Sequence, residues 1–220
     1  MKNKILLRGL LLLVAFVIWT ILVMTADVKM IGPNGSAVGF ATINGWFHQL
    51  TGVRMGIYTV TDWLGLVPVA VCIGFGIMGL TQWIKRRSLL RVDGDILLLG
   101  VYFVIVTAGY LLFEMIPINY RPILIEGRLE ASYPSSTTLL VLSVMPALVF
   151  QVKRRVVLIE WQKVIVACTV GFIVFMVLGR LFAGVHWLTD IVGGMLLSGG
   201  LFYLYKGGVL WWNSMKNCKN

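Results

Sequence analysis

Six runs of apolar residues restrict what this chain can fold into more than any other feature. Each is near or above the length needed to cross a bilayer as helix. They lie at about 9–26, 64–84, 96–117, 137–152, 163–183 and 188–205. A helix satisfies its own backbone polar groups in hydrocarbon, so runs of this kind predict membrane-spanning helices. Composition agrees: 59% of the 220 residues are hydrophobic, against roughly 45–50% apolar in soluble domains, and the mean hydropathy is +0.90. The first run, "GLLLLVAFVIWTILVMTA", is longer than the ~7–15-residue core of a signal peptide and no small-x-small cleavage site follows it, so it reads as a retained span. The expected fold class is all-α, a polytopic membrane protein with six transmembrane helices in one bundle. Residues 1–62 read as the first transmembrane helix plus an outer interfacial segment, 63–206 as the helical membrane core, and 207–220 as a cytoplasmic tail.

Lys and Arg number 19 against 9 for Asp and Glu, a formal net charge of +10. No basic stripe is interleaved with aromatics, so nucleic acid is not an expected partner. The positive charges instead gather in short segments between apolar runs, as cytoplasmic loops do. With the N-terminus inside, only Lys29, Arg54, Arg121, Arg128 and Arg180 fall on the outer side, which leaves fourteen of the nineteen inside. That bias predicts both termini cytoplasmic, in a membrane of the bacterial plasma-membrane kind. Cys72 and Cys168 sit inside apolar runs and Cys218 in the tail, a scatter that gives neither a disulfide framework nor a zinc site. No metal or other cofactor is expected, and the sequence is silent on oligomeric state.

In a chain with only 13% charged residues, the segment "GRLFAGVHWLTD", 179–190, places Arg180, His186 and Asp190 close together. His186 and Asp190 are four apart and share a helix face if the sixth span begins near them. A carboxylate beside one ring nitrogen fixes the tautomer and leaves the other nitrogen as the nucleophile. The plainer reading is a His–Asp pair that closes a helix end. A second segment, "SYPSSTTLL", 132–140, puts Ser135, Ser136, Thr137 and Thr138 after Pro134. Hydroxyl residues there cap a helix, and the free N–H groups and positive dipole end of such a start favour an anion. An ordinary cap is the plainer reading here too. Arg121 and Arg180 shift the balance, because their planar forks match phosphate oxygens. The topology brings all of these residues to the outer face, and together they outline a phosphoryl-transfer site.

On these residues the chain resembles the type 2 phosphatidic acid phosphatase family. That family carries Lys, six residues, Arg-Pro; then Pro-Ser-x-His; then Ser-Arg, five residues, His, three residues, Asp. Here Arg121-Pro122 stands for the first motif and Pro134-Ser135-Ser136-Thr137 for the second. Gly179-Arg180 with His186 and Asp190 gives the third with its spacing intact. The resemblance covers about residues 96–205 and implies a membrane lipid phosphatase acting on a phosphorylated or diphosphorylated lipid at the outer leaflet. It implies that His186 attacks phosphorus to form a phosphohistidine while Asp190 orients it. Arg121, Arg180, Ser135 and Ser136 would hold the phosphoryl oxygens. No metal is implied. A phosphotransferase or a non-catalytic lipid-phosphate binder of the same fold is the alternative.

Three positions depart from the family pattern. Glu114 stands at the first Lys, Gly179 at the third-motif Ser, and Thr137 at the second-motif His. In the family that His protonates the leaving alkoxide, and general acid help is worth roughly 10²–10⁴ in rate. A leaving group that is itself a phosphate needs less help, which would favour a diphosphate substrate. Glu126, Glu130 or His48 are other outer-side acids, and Thr137 itself is an auxiliary candidate. The apolar spacing of Phe40, Ile43, Trp46, Phe47 and Leu50 around His48 predicts a short interfacial helix. Asp93 and Asp95 in "RVDGD" read as a turn before a helix start on the inner side. Trp63, Trp83, Tyr203, Trp211 and Trp212 read as interface belt.

Overall fold

Each apolar run forms a helix, and most helices extend past the run into its charged flank. In the computed structural model, which describes residues 2–217, the elements are α1 (Lys2–Thr25), α2 (Ala41–Thr51), α3 (Met55–Leu64) and α4 (Leu66–Arg86). They continue as α5 (Gly94–Met115), α6 (Ser136–Arg155), α7 (Ile159–Phe182) and α8 (Leu188–Asn217). Lys and Arg are good helix formers and favour a helix C-terminus. Lys85 and Arg86 therefore stay in the last turn of α4, and Lys153, Arg154 and Arg155 in that of α6. No strand forms among the described residues; Lys29–Val38, Tyr120–Ala131 and Ile125–Arg128 are isolated antiparallel bridges in the loops. Six helices are long and apolar enough to cross a membrane, counting α3 and α4 as one stretch. The chain is an all-α, multi-pass membrane protein.

The second span starts earlier than hydropathy predicts. Thr59, Thr61 and Asp62 interrupt the apolar pattern of α3, yet the helix forms and runs into α4 with a break only at Gly65. The expected boundary at 62/63 thus falls inside α3, and the one at 206/207 falls inside α8, so neither divides the chain. The described part of 207–220 is helix continuous with the sixth span; Cys218 and Lys219 lie outside the described residues. The predicted interfacial helix around His48 is α2, with Ile43, Trp46 and Leu50 exposed along it.

α6 and α8 form the centre of the bundle. α1 lies along α8 at close range because glycines remove side chains between them. A Cβ at Gly200 would meet Leu13 Cδ2 at 2.6 Å, and one at Gly207 would meet Leu6 Cδ2 at 2.5 Å. Small residues at a membrane helix contact serve dispersion packing, since lipid offers no hydrophobic drive between helices. The core is aromatic: Phe16, Tyr102, Tyr133 and Tyr205 are buried with Leu99 and Leu139. Leu7, Leu11, Val14 and Ile18 of α1 face outward and exposed, as lipid contact requires.

The two ends of the bundle differ in chemistry. At the end holding the α1 N-terminus, the Asp93–Asp95 turn is more than a helix start. Asp93 pairs with Arg86 at 2.8 Å and Arg155 at 3.2 Å; Asp95 pairs with Arg155 at 2.9 Å and Arg154 at 3.5 Å. Gln151 continues the network from Arg155 to Tyr205. This ties the start of α5 to the end of α6. Arg154 and Arg155 keep 30% and 28% of their side-chain surface, so they rehydrate in part when a partner is lost. Asp95→Ala should therefore destabilise the protein by ~1–3 kcal/mol, below the ~3–5 of a fully buried pair. Thermal unfolding in detergent measures it, and Asp93→Ala, with a more exposed carboxylate, should cost less.

Candidate active site

The opposite end gathers the C-terminal ends of α1, α5 and α7, the N-terminal ends of α6 and α8, and the short α2 and α3. Polar side chains lock these ends together. Asn44 of α2 donates to Gly39 O at 2.7 Å and to Thr189 Oγ1 at 3.0 Å. Trp19 Nε1 of α1 donates to Thr189 O at 3.1 Å, and Trp187 Nε1 to Tyr120 O at 2.7 Å. Tyr133 closes the 116–135 loop onto the bundle. Its hydroxyl lies 2.7 Å from Thr20 Oγ1, and its ring fills the space over Gly193, where a Cβ would come within 2.5 Å of it.

Within this frame, the turn between α7 and α8 fixes His186. Gly184 has φ +69, and a Cβ there would sit 1.9 Å from Gly52 O, so only glycine fits. The same turn receives Arg54 N on Ala183 O at 3.0 Å, which sets α3 against the end of α7. His186 is buried, and its Nδ1 lies 3.7 Å from Asp190 Oδ2. That is too long for a hydrogen bond, and neither ring nitrogen has a partner. Asp190 Oδ2 accepts the Trp187 N–H at 2.8 Å, while the side chains of Asn119 and Ser132 face the same carboxylate. Burial first, then the charges of Arg121 and Arg180, hold the His186 imidazole well below its ordinary pKa; the Ser132 main chain opposes them weakly. His186 is therefore neutral near pH 7.

The two arginines converge on one ring. Arg180 Cζ stands 5.1 Å from the Tyr58 ring centroid and Arg121 Cζ 5.9 Å. Arg180 is 1% exposed and donates through Nη2 to Thr137 Oγ1 at 2.6 Å and Asp62 Oδ1 at 3.3 Å, and through Nη1 to Thr61 Oγ1 at 3.4 Å. Arg121 is buried with Nε 3.0 Å from Glu130 Oε2. The angle of that contact falls short of a hydrogen bond, so Nε and Nη1 both remain without a hydrogen-bond partner. Ser135 is fully buried at the N-cap of α6; its N–H donates to Asp190 O at 3.1 Å and its Oγ accepts from Thr138 at 3.1 Å.

The structure thus brings together His186, Asp190, Arg121, Arg180, Ser135 and Thr137. Ser136 lies on the first turn of α6 and lines a lateral cavity of about 260 Å³ with Asp62, Val106, Tyr110, Thr137 and Leu140. Glu130 joins only as the ion-pair partner of Arg121. Glu126 does not join: it is exposed at the tip of the Ile125–Arg128 turn with φ +50. Nor does His48, whose ring packs on Trp187 at 5.5 Å from α2. Glu114 is exposed at the end of α5. Sequence reasoning missed Tyr58, Thr61, Asp62, Asn119 and Ser132. The spacing of Tyr58, Thr61 and Asp62 along one helical face was the only signal available for α3. Among the described residues no group of three or more His, Cys, Asp or Glu side chains is placed to hold a metal ion.

A family model described as the PAP2 superfamily matches residues 96–214. Among solved structures the chain is similar to a transmembrane PAP2-type phosphatidylglycerolphosphate phosphatase from Bacillus subtilis. That likeness has a TM-score of 0.64 and 20% sequence identity, over 91% of this chain and 95% of that one. At such identity it speaks for a shared fold. No curated protein matches the chain.

Proposed function

We propose, from the premise that the chain belongs to the PAP2 superfamily, that it removes phosphate from a phosphorylated or diphosphorylated membrane lipid through a phosphohistidine at His186. One observation carries this reading: a buried imidazole with a carboxylate behind it and two buried guanidiniums beside it. The nitrogen remote from Asp190, Nε2, attacks phosphorus as the lipid oxygen departs. Arg121, Arg180 and the free N–H groups of the first turn of α6 take up the negative charge on the phosphoryl oxygens, the main source of rate in such a site. Asp190 orients the ring. Water then attacks the phosphohistidine and releases phosphate.

The substrate is a lipid because the site lies where helix ends meet loops, so the apolar tail remains in the bilayer. The lateral cavity, with Val106, Leu139 and Leu140 on its walls and Thr137 at its polar end, suits the start of such a tail. The site belongs to the outer face and both termini to the cytoplasm, since the opposite end carries the larger share of Lys and Arg.

Rapid quenching with a radiolabelled lipid monophosphate or diphosphate tests the intermediate. The expected product is an acid-labile, base-stable phosphoprotein that forms in the wild type and not in His186→Ala. Lipid-phosphate binding with neither label nor phosphate release would mark a binder of the same fold. Label that passes to an added alcohol in preference to water would mark a phosphotransferase.

A further inference from the structure

The site as described lacks a proton donor for the leaving group. Thr137 stands at the family's histidine position, and its hydroxyl accepts an N–H from Arg180 at 2.6 Å. An aliphatic hydroxyl is in any case too weak an acid for this task. Asp62 and Glu130 are the ion-pair partners of the two arginines and are taken up in holding them. Glu126 is exposed on its turn, and His48 lies against Trp187 on another helix.

We propose that Tyr58 is the general acid of this enzyme, taking the part of the absent histidine; the assignment rests on the phosphatase reading above. Its ring is where Arg121 and Arg180 meet, at 5.9 and 5.1 Å. The hydrogen bonds of Arg180 run to Thr61, Asp62 and Thr137 and leave the Tyr58 hydroxyl unused. Tyr58 is one turn before Asp62 on the same face of α3, and Asp62 lines the cavity that also holds Thr137. The phenol therefore stands beside both arginines, one helical turn from a residue that lines the cavity. α3 is held there by Arg54 N on Ala183 O at 3.0 Å and by the close pass of Gly184 against Gly52. It lies outside the residues the family model matches, 96–214. An acid supplied from α3 is thus compatible with the loss of the one in the second motif.

The step balances. The His186 Nε2 lone pair forms the P–N bond, the P–O bond to the lipid breaks, and the departing alkoxide takes the Tyr58 proton to leave as an alcohol. The proton transfer leaves a Tyr58 phenolate beside the two guanidiniums. In the second half water attacks phosphorus, its proton passes to the phenolate, and the P–N electrons return to the imidazole.

Tyr58→Phe keeps the ring that the arginines stack on and removes only the hydroxyl. It should be assayed on phosphatidic acid, whose leaving group is an alkoxide, and on p-nitrophenyl phosphate, whose leaving group needs no proton. The expected result is a fall in kcat of about 10²-fold or more on phosphatidic acid, with little change on the aryl ester and an unchanged unfolding temperature. Asp62→Asn, which removes the ion-pair partner of Arg180 and neither supplies nor withdraws a proton at the leaving group, should lower kcat on both substrates alike. Equal losses on both substrates in Tyr58→Phe, no loss on phosphatidic acid, or a leaving-group-selective loss in Asp62→Asn would each overturn the assignment while the phosphatase reading stood. A wild type that releases phosphate from neither substrate would overturn both.

Discussion

Replacing His186 with alanine is expected to bring phosphate release to background, a loss on the order of 10⁶ by analogy with other enzymes deprived of their nucleophile. No neighbour can stand in. The ring is buried, and the nearest groups are a carboxylate already bound to the Trp187 N–H and two cationic forks with no lone pair to offer. His186→Ala should bind inorganic vanadate or phosphate nearly as well as the wild type, because Arg121, Arg180 and the α6 N-terminus remain. Release that persists in His186→Ala would remove the phosphohistidine from the mechanism. The depressed basicity of this imidazole sets the pH behaviour. In the proposed mechanism the neutral form attacks, and burial together with Arg121 and Arg180 holds the pKa well below 6.5. The acid limb of kcat/KM assigned to His186 should therefore lie below pH 6.5. The same shift couples to stability. The unfolded chain binds a proton on this His near pH 6.5 where the folded chain does not, so its contribution is present above 6.5 and is lost as the pH falls below it.

Much of this could be read from the sequence because bilayer physics is coarse. Hydrocarbon demands helices of a set length, so six apolar runs located six spans, and the Lys/Arg bias separated the two ends before any motif was considered. His186 and Asp190 were legible as a pair from their spacing of four, although α8 begins only at Leu188 and His186 reaches Asp190 from the turn before it. What escaped was determined by contact, not by composition. The helix α3 carries Thr59, Thr61 and Asp62, which lower its hydropathy, yet Thr61 and Asp62 are polar where they meet Arg180 of α7. The loops gave a similar blind spot. Glu126 and Glu130 were equal candidates by sequence, but the Ile125–Arg128 turn exposes the first and the Tyr120–Ala131 pairing brings the second against Arg121. Asn119 and Ser132 offered no signal at all; they face Asp190 only once Tyr133 has pinned their loop to α1 and α8.

Arg180→Ala is the second substitution with a large expected effect, and its effect should fall on catalysis more than on folding. Arg180 is 1% exposed, a position that usually makes loss of a charge costly. Its carboxylate partner Asp62, however, is 56% exposed and rehydrates freely once the guanidinium is gone. The remaining cost comes from the Thr137 hydroxyl left without its donor, about 1–3 kcal/mol for a buried unsatisfied group, since Thr61 Oγ1 still donates to Ile57 O. A charge-bearing fork on the transferred phosphoryl group is worth about 10³–10⁵ in kcat, and that full amount should be lost. Arg180→Lys separates charge from geometry. An ammonium reaches one of the three partners that the fork holds at once, so it should restore stability more completely than rate and leave a deficit of about 10²-fold or more. Vanadate affinity, kcat on a lipid monophosphate and the unfolding temperature, measured on all three proteins, distinguish the roles. If Arg180 serves only to join α3 to α7, rate per folded molecule will survive in both variants and only the unfolding temperature will fall. If it holds the phosphoryl oxygens, vanadate affinity and kcat will fall together, with lysine intermediate between alanine and arginine.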